Sequence, residues 1–414
     1  MNNRKISTVR GMHDTYGTSF YKQRSIIESF IKVVSLLNFT PMNTPIIEHS
    51  EVFLRTLGDS SDVVMKEMYT FLDKSNDSVT LRPEGTAGIA RALISNGFTQ
   101  NLPQKYFYYG SMFRYERPQQ GRLRQFNQVG LEFFGKGSYF EDCEVIRAAH
   151  HFLIELDIKK DVKLKINTIG KTDSRKSFIK EIKAYFYSNK KKLSSDSLKR
   201  LDRNPLRILD SKAPEDIALL EKAPVIYDFL KTEEVNSFKN VKSTLKELDI
   251  SFTVDPYLVR GLDYYSDTTF EFTLTKNDRF AVLAGGRYDN LINELGGGKI
   301  SGVGWAAGVE RLESLLLKGP LINLPILLIP TNEKYMNYVL RISNKLYFQN
   351  VKNQILDHFN LKKSLKYANK VKAKIVLIIG DEEFKSSKFS LKNLESGTQV
   401  TVNEKELFEK IKNE

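Results

Sequence analysis

The chain has 414 residues, of which 41% are hydrophobic and 27% charged, and its formal net charge is +13. That length exceeds one ordinary core, so two or three domains are expected, and the composition is that of a soluble globular protein. A single cysteine, Cys143, excludes an internal disulfide framework and a cysteine-rich zinc site. The positive charge is compatible with a nucleic acid partner, although a lysine-rich proteome produces the same excess.

The sequence carries no signal for a membrane or for a bound metal. No apolar run is long enough to cross a bilayer, and residues 1–14 lack the apolar segment of a signal peptide. A cytoplasmic location without membrane attachment is therefore expected. The five histidines show no metal-ligand spacing, so no metal ligand is predicted.

The first part of the chain predicts a helix and then two strands. Apolar residues recur at helical spacing over 19–37, and Pro41 and Pro45 then force an extended segment. A long helix before a proline-bearing strand fits either a core or a dimer interface. Residues 64–82 predict strand, turn, strand, followed by a helix that opens at GTAG (85–88). Glu84 and Thr86 at this junction fit either a ligand site or a helix N-terminal charge.

Two aromatic-rich strands, 105–116 and 124–135, flank a basic loop at 117–123. Alternation places the polar side chains of each strand on one face. Burying several polar groups without partners is costly, so that face is either solvated or lines a ligand site, and the mixture of charges favours a site. These side chains are Arg114 and Glu116 on the first strand and Gln128 and Glu132 on the second.

Residues from about 170 to 230 change character, because they are helical in pattern and rich in lysine, with NPLRILDSKAPED in the middle. This composition predicts a helical insertion on the surface. Basic runs such as 190–192 are usually solvated faces, and contact with RNA is the weaker alternative.

The stretch LVRGLDYYSDTTFE (258–271) joins an arginine, a glycine, an aspartate and two tyrosines, and then alternates as a strand. A guanidinium there suits a carboxylate or a phosphate. An isolated arginine of this kind is better explained by an ion pair between Arg260 and Asp263. A catalytic role for Arg260 is favoured only by the charged segments elsewhere in the chain.

A glycine-rich strand follows, and Gly308 then starts a helix that carries Glu310 and Arg311, which is a moderate signal for phosphate binding. Residues 320–330 read as a linker that enters a buried strand, and 373–383 contains a second one. The tail therefore predicts a small α/β domain with its own parallel sheet, more typical of an accessory binding domain than of a second catalytic one.

Taken together, these stretches resemble histidyl-tRNA synthetases, which are class II aminoacyl-tRNA synthetases. The matching segments appear in the family's order and cover nearly the whole chain. They are RGMHD (10–14), TPIIEHSEVF (44–53), TLRPEGTAG (80–88), MFRYERPQQGRLRQFNQVGLEFFG (112–135), LVRGLDYY (258–265), AGGRYD (284–289) and GVERL (308–312). Asn127 stands where many members have histidine.

The resemblance implies an α+β fold, in which an antiparallel sheet of six or seven strands is flanked by helices. It places the class II catalytic domain at 1–320, with the helical insertion at about 170–230, and an anticodon-binding α/β domain at 325–414. It also implies a homodimer, through the segment at 44–53. The implied activity is histidine–tRNA ligation: L-histidine reacts with ATP to give histidyl-adenylate and pyrophosphate, and histidine then passes to the 3′ end of tRNA(His).

The resemblance also implies a task for each candidate residue. Arg260 and Arg114 are the catalytic arginines, which would stabilise charge on the α-phosphate. The residues implied for ATP are Arg114, Glu116, Arg122, Arg260, Gly308 and Arg311, with Mg²⁺ expected to accompany ATP. Those implied for histidine are Glu84, Thr86, Gln128, Glu132, Tyr264, Tyr265 and Tyr288. Gln119 and Arg122 would meet the acceptor end of the tRNA. The competing hypothesis is a non-catalytic paralogue that regulates ATP phosphoribosyltransferase.

Overall fold

The computed structural model describes residues 6–58, 61, 63–118, 121–262, 264–317, 319 and 324–413. The chain forms two compact units, Met1–Pro320 and Leu321–Glu414. Among the described residues, none of the helices combines the length and apolar character that crossing a bilayer requires.

The first unit contains strands β1–β11 and helices α1–α10 in the part of the chain that is described. The strands are β1 Thr40–Pro41, β2 Ile47–His49, β3 Tyr69–Leu72, β4 Ser78–Leu81, β5 Gln104–Phe113, β6 Gln125–Gly135, β7 Val162–Thr168, β8 Phe252–Val254, β9 Ser266–Leu274, β10 Asn277–Arg287 and β11 Ser301–Gly308. The helices are α1 Gly17–Leu36, α2 Ser50–Leu57, α3 Thr86–Ser95, α4 Tyr139–Glu155, α5 Thr172–Ser188, α6 Ser195–Arg203, α7 Pro214–Leu220, α8 Thr232–Glu247, α9 Leu291–Glu294 and α10 Val309–Glu313.

The main sheet of this unit has eight strands among the described residues, in the order β1-β5-β6-β11-β10-β9-β7-β8. The six central strands pair antiparallel. The two short edge strands, β1 and β8, join in parallel. The expected count of six or seven strands was too low, because edge strands of two and three residues are too short to show alternation. A separate three-stranded sheet has the order β2-β4-β3.

One face of the main sheet is packed by α1 and α4. Val129, Leu131 and Phe133 of β6 point into this core, together with an aromatic group in which Phe152 stacks on Trp305 at 5.9 Å between ring centroids. The alternate residues of β6 therefore lie on the opposite face. That opposite face is where the polar residues of the hairpin gather.

Two local predictions for the first unit were wrong. Residues Val63–Glu67 form a π-helical turn rather than the start of a strand, and β3 begins only at Tyr69. The strand β5 ends at Phe113, so Arg114 and Glu116 lie in the following loop and do not share a strand face by alternation. The loop is anchored instead by backbone hydrogen bonds, such as the one from the Arg114 amide to the Arg124 carbonyl at 2.9 Å.

The second unit is an α/β domain with its own core. Its strands are β12 Ile326–Pro330, β13 Asn353–Ile355, β14 Ile375–Ile379, β15 Lys388–Asn393 and β16 Gln399–Asn403, and its helices are α11 Met336–Phe348, α12 Leu361–Lys370, α13 Asp381–Ser386 and α14 Glu404–Asn413. The sheet order is β13-β12-β14-β15-β16. The first three strands pair in parallel, as expected, whereas β15 and β16 pair antiparallel. The sheet is therefore mixed rather than purely parallel.

Candidate active site

The polar face of the main sheet forms the floor of a cleft of about 200 Å³. The cleft is lined by β6, β10 and β11, by the loops that follow β4 and β5, and by the segment before β9. Nearly all of the described candidate residues line it. They are Glu84, Thr86, Arg114, Glu116, Arg122, Gln128, Arg260, Tyr264, Tyr265, Tyr288, Gly308 and Arg311. Glu132 lies beneath them and is fully buried.

Glu132 is the centre of a buried hydrogen-bond network at one end of the cleft. The Thr86 hydroxyl donates to its Oε1 at 2.6 Å, and the Tyr288 hydroxyl donates to its Oε2. Gly304, opposite Glu132 on β11, makes room for the carboxyl group, since a side chain there would collide with it. Burial raises the pKa of Glu132 to about 8, although the hydrogen bonds from Thr86 and Tyr288 oppose the shift. A carboxyl group with this pKa is a typical feature of a functional site.

Glu84 caps the start of α3. Its two carboxylate oxygens accept hydrogen bonds from the backbone amides of Thr86 at 2.7 Å and Ala87 at 2.8 Å. Burial raises the pKa of Glu84, and these amides and Arg114 oppose the rise. The helix N-terminal interpretation of Glu84 is thus confirmed, while its place on the cleft wall leaves it available to a ligand.

Three tyrosines close the same end of the cleft. The ring centroids of Tyr264 and Tyr265 are 4.6 Å apart, and Tyr264 meets Tyr288 edge-on at 5.6 Å. Burial raises the pKa of each phenol, so all three stay protonated at neutral pH and can donate hydrogen bonds. Gln128 lies nearby with its Oε1 buried and without a hydrogen-bond partner in the described part of the chain.

Arg260 lines the cleft beside Tyr265, where the arginines of the site gather. Its Nη1 lies 3.4 Å from Oε2 of Glu271 on β9, its guanidinium lies over the Tyr265 ring at 5.9 Å, and its Nε is buried without a partner among the described residues. Burial acts to lower the pKa of Arg260, but Glu271, Tyr265 and Asp210 hold it above its ordinary value. The ion pair with Asp263 cannot be compared with this geometry, because Asp263 lies outside the described residues.

Three further arginines surround this end. Arg114 donates from Nε to the Pro83 carbonyl at 2.8 Å and lies over the Phe126 ring at 5.4 Å. Arg311 is held from both sides by the carbonyls of Gly121 and Ala281, each at 3.0 Å. Arg122 is more exposed and donates to Glu116 at 3.2 Å. The cleft thus concentrates positive charge opposite the buried carboxyl groups. This arrangement suits a ligand with both a polyanionic part and a cationic or hydrogen-bonding part.

Two lining residues, Phe126 and Glu310, were assigned no role from the sequence. Phe126 provides a flat apolar surface beside Arg114, and Glu310 receives the backbone and side-chain amides of Asn127 at 2.9 to 3.0 Å. Asn127 therefore fixes the start of α10 against β6. The alternation of the hairpin contained the signal for Phe126, since it shares a face with Gln128. Gln119 lies outside the described residues. In the described part of the chain, no three His, Cys, Asp or Glu side chains are placed to hold a metal ion.

Comparison with known proteins gives a family for both units. A family model described as histidyl-tRNA synthetase matches residues 11–312, and one described as an anticodon binding domain matches 326–414. A histidine–tRNA ligase of Gluconacetobacter diazotrophicus is 43% identical over 398 residues, which is 96% of each chain. One of Gluconobacter oxydans is 43% identical over 394 residues, 95% of each chain. The crystal structure of apo histidyl-tRNA synthetase from S. aureus has a TM-score of 0.80 at 32% identity and covers 98% of this chain and 99% of its own.

Proposed function

The chain belongs to the histidyl-tRNA synthetase family, and on that premise we propose which residues of the cleft perform its reaction. It is a histidine–tRNA ligase that uses ATP. The observation that supports the residue assignments is the juxtaposition, in one cleft, of the buried network around Glu132 with four arginines. One end fits an imidazole and the other fits a triphosphate.

In the first reaction a carboxylate oxygen of histidine attacks the α-phosphorus of ATP. A new oxygen–phosphorus bond forms, the bond to the β-phosphate oxygen breaks, and pyrophosphate leaves. Negative charge gathers on the non-bridging oxygens of the α-phosphate in the transition state. Arg260 and Arg114 stabilise that charge, because their guanidinium groups enter the cleft from different elements and are permanently charged.

ATP is held by the remaining groups of the arginine-rich end. Arg311 contacts the γ-phosphate, and its two backbone hydrogen bonds fix the side chain in place. Arg122 assists the departing pyrophosphate from the loop. Glu116 accepts a hydrogen bond from the adenine amino group. Gly308 has no side chain, so the base can approach the backbone there. Magnesium enters with the phosphates of ATP, as part of the substrate.

Histidine occupies the buried end. Glu132 and Tyr264 bond the two imidazole nitrogens, and Tyr265 and Tyr288 shape the pocket around the ring. Glu84, Thr86 and Gln128 fix the amino and carboxylate groups. The unpaired Oε1 of Gln128 supports this assignment, since a buried acceptor without a partner is costly until a ligand donates to it. Because the site would hydrogen-bond both ring nitrogens, analogues that lack them are rejected about 10⁴–10⁵-fold.

Transfer to tRNA(His) uses the same cleft and the second unit. The loop at 117–123, with Gln119 and Arg122, meets the acceptor end of the tRNA. The second unit binds the anticodon, in agreement with the family model that matches it. The boundaries 1–320 and 325–414 remain our proposal for the functional domains. A homodimer through 44–53 and a cytoplasmic location, where aminoacylated tRNA is consumed, belong to the same proposal.

The alternative, a non-catalytic paralogue that regulates ATP phosphoribosyltransferase, predicts a degraded histidine pocket and no anticodon-binding unit. Arg260, Tyr264 and Tyr265 are all present, and they line the cleft together with Arg114. The model for an anticodon binding domain matches the tail. Both observations favour the ligase.

The test is histidine-dependent exchange of pyrophosphate into ATP by the purified chain in the presence of magnesium. We expect exchange with L-histidine and none with amino acids whose side chains lack the two ring nitrogens of imidazole, such as phenylalanine. Charging of tRNA(His) should follow under the same conditions. Exchange that stayed at background with L-histidine would exclude the proposed assignments.

A further inference from the structure

The segment NPLRILD (204–210) of the helical insertion lies against the loop that carries Arg260. A Cβ atom built on Gly261 would lie 3.3 Å from Nη1 and 3.8 Å from Cζ of Arg207. The guanidinium group of Arg207 is therefore placed directly over the Gly261 backbone, one residue from Arg260. Gly261 has room for this contact because it has no side chain.

The segment is rigid enough to position a neighbour. Leu206, Ile208 and Leu209 are buried in the same hydrophobic cluster as Tyr264 and Tyr265. The residue that follows the segment, Ser211, also holds it in place, because its hydroxyl donates a hydrogen bond to Asp216 at 2.6 Å. Asp216 is fully buried and also accepts hydrogen bonds from Ser194 and Ser197, so it joins three parts of the insertion at one carboxylate.

The insertion holds the loop at two more points, one on each side of Gly261. The Tyr257 hydroxyl donates to the Leu220 carbonyl of α7, and Nη1 of Arg175 on α5 donates to the Tyr265 carbonyl at 2.5 Å. The loop from Tyr257 to Tyr265 is thus attached to the insertion before, at and after Arg260. Among the described residues, the main sheet contributes one ion pair to Arg260, from Glu271.

A charged neighbour lies beside the contact at Gly261. Asp210 lies 3.7 Å from Arg207, between Nη1 and Oδ2. Asp210 is also among the charged groups that act on Arg260 and Glu271. Arg207, Asp210, Arg260 and Glu271 therefore form an alternating series of charges, and the insertion contributes half of it.

We propose that Arg207 is a positioning residue for Arg260: it packs over Gly261, is oriented by Asp210, and sets the position of the catalytic arginine at the α-phosphate. The insertion then contributes to the first reaction by positioning Arg260, in addition to forming part of the surface. This inference rests on the proposed task of Arg260. It assigns to residues 204–210 a function in the activation of histidine.

The first experiment measures pyrophosphate exchange in the full-length chain for Arg207→Ala and Arg207→Lys. We expect kcat to fall about 10-fold or more in Arg207→Ala, because a displacement near 1 Å at a catalytic group can cost about 10²-fold. The KM for histidine should stay within about threefold, since the hydrogen bonds that hold Glu132 come from Thr86 and Tyr288. Arg207→Lys should recover only part of the rate, because lysine keeps the charge but not the flat group. Arg203→Ala, an exposed arginine of the same insertion, is the matched control and should resemble the unmodified chain.

The second experiment is a double-mutant cycle that does not depend on the stability of the insertion. Gly261→Ala adds a methyl group at 3.3 Å from Arg207, at a position where the backbone has no left-handed conformation to oppose it. We expect a several-fold loss of kcat in the unmodified background and a loss of less than about twofold in the Arg207→Ala background, since residues in contact are not additive.

The outcomes separate this inference from the proposed function. If the unmodified chain shows no histidine-dependent exchange, the proposed function itself fails. If the unmodified chain is active but Arg207→Ala keeps kcat within twofold, or if the cycle is additive, Arg207 does not position Arg260. A loss in Arg207→Ala that is accompanied by an equal loss in the Arg203→Ala control would also overturn the inference.

Discussion

The two ends of the cleft are built differently. At the end that we assign to histidine, Glu132 is fully buried and accepts hydrogen bonds from the hydroxyl groups of Thr86 and Tyr288, so its partners are fixed before any ligand arrives. At the phosphate end, the side chains of Arg114, Arg122 and Arg260 are 22%, 45% and 19% exposed, and their ion pairs are longer, at 3.2 to 3.9 Å. The histidine end is preorganised for one shape, whereas the phosphate end keeps charge available for a ligand.

Under the proposed assignments, the difference follows from the ligand group that each end recognises. Selecting an imidazole requires hydrogen bonds of fixed direction, and these are reliable only when water is excluded. A triphosphate carries several charges, and permanently charged guanidinium groups can bind it from partly solvated positions. Four experiments test this difference between the two ends.

The largest effect is expected from Arg260→Ala. Removing a charge-stabilising donor at the α-phosphate should lower kcat for pyrophosphate exchange about 10²–10³-fold. The KM for histidine should change little, because the hydrogen bonds that hold Glu132 come from Thr86 and Tyr288 and do not involve Arg260. Steady-state exchange kinetics measure both quantities, with Arg203→Ala as a control of the same residue type. An unaltered rate would remove Arg260 from catalysis.

The contrast between the two ends also limits what the sequence could predict. The polar residues of β6 followed from alternation, and the whole set of candidate residues followed from the resemblance to a family. The position of Arg114 did not follow, because β5 ends one residue earlier and a loop takes over. The place of residues 204–210 over Gly261 could not be predicted either. That contact joins segments more than fifty residues apart, and only the packing of the insertion determines it.

The next largest effect is expected at the histidine end, from Glu132→Gln. The amide has nearly the same size but cannot ionise, so it cannot offer the imidazole N–H a charged acceptor, and the hydrogen bond to the ring is weaker. The KM for histidine should rise about 10- to 100-fold, with a smaller change in kcat. Glu155→Gln, on the solvent-facing end of α4, is the control. A lowered kcat at unchanged KM would instead place Glu132 in the phosphate chemistry.

A smaller effect is expected from Arg122→Ala, since this side chain is the most exposed of the arginine group and pairs with Glu116 at 3.2 Å. Exposed ion pairs contribute about 0–1 kcal/mol, so the KM for ATP should rise only about two- to fivefold. The KM for histidine should not change. An effect as large as that of Arg260→Ala would mean that the loop closes on ATP and that the phosphate end is more preorganised than its exposure indicates.

The smallest effect concerns stability and pH. The Glu132 carboxyl loses its proton near its ordinary pKa of 4.5 when the chain is unfolded, and burial raises the pKa to about 8 in the fold. Between those values the folded chain binds more protons than the unfolded chain, so the free energy of unfolding contributed by Glu132 falls as pH rises and becomes constant above the higher pKa.

The variant Glu132→Gln has no carboxyl group at this position and cannot titrate there. Other groups, including Asp142 with its pKa raised to about 6 by burial, titrate equally in both proteins and cancel. In thermal melts without ligands, the Tm of the variant relative to that of the unmodified chain should therefore rise between about pH 6 and about pH 8.5. A difference that stayed constant with pH would show that Glu132 is already ionised at neutral pH, and that its hydroxyl partners outweigh its burial.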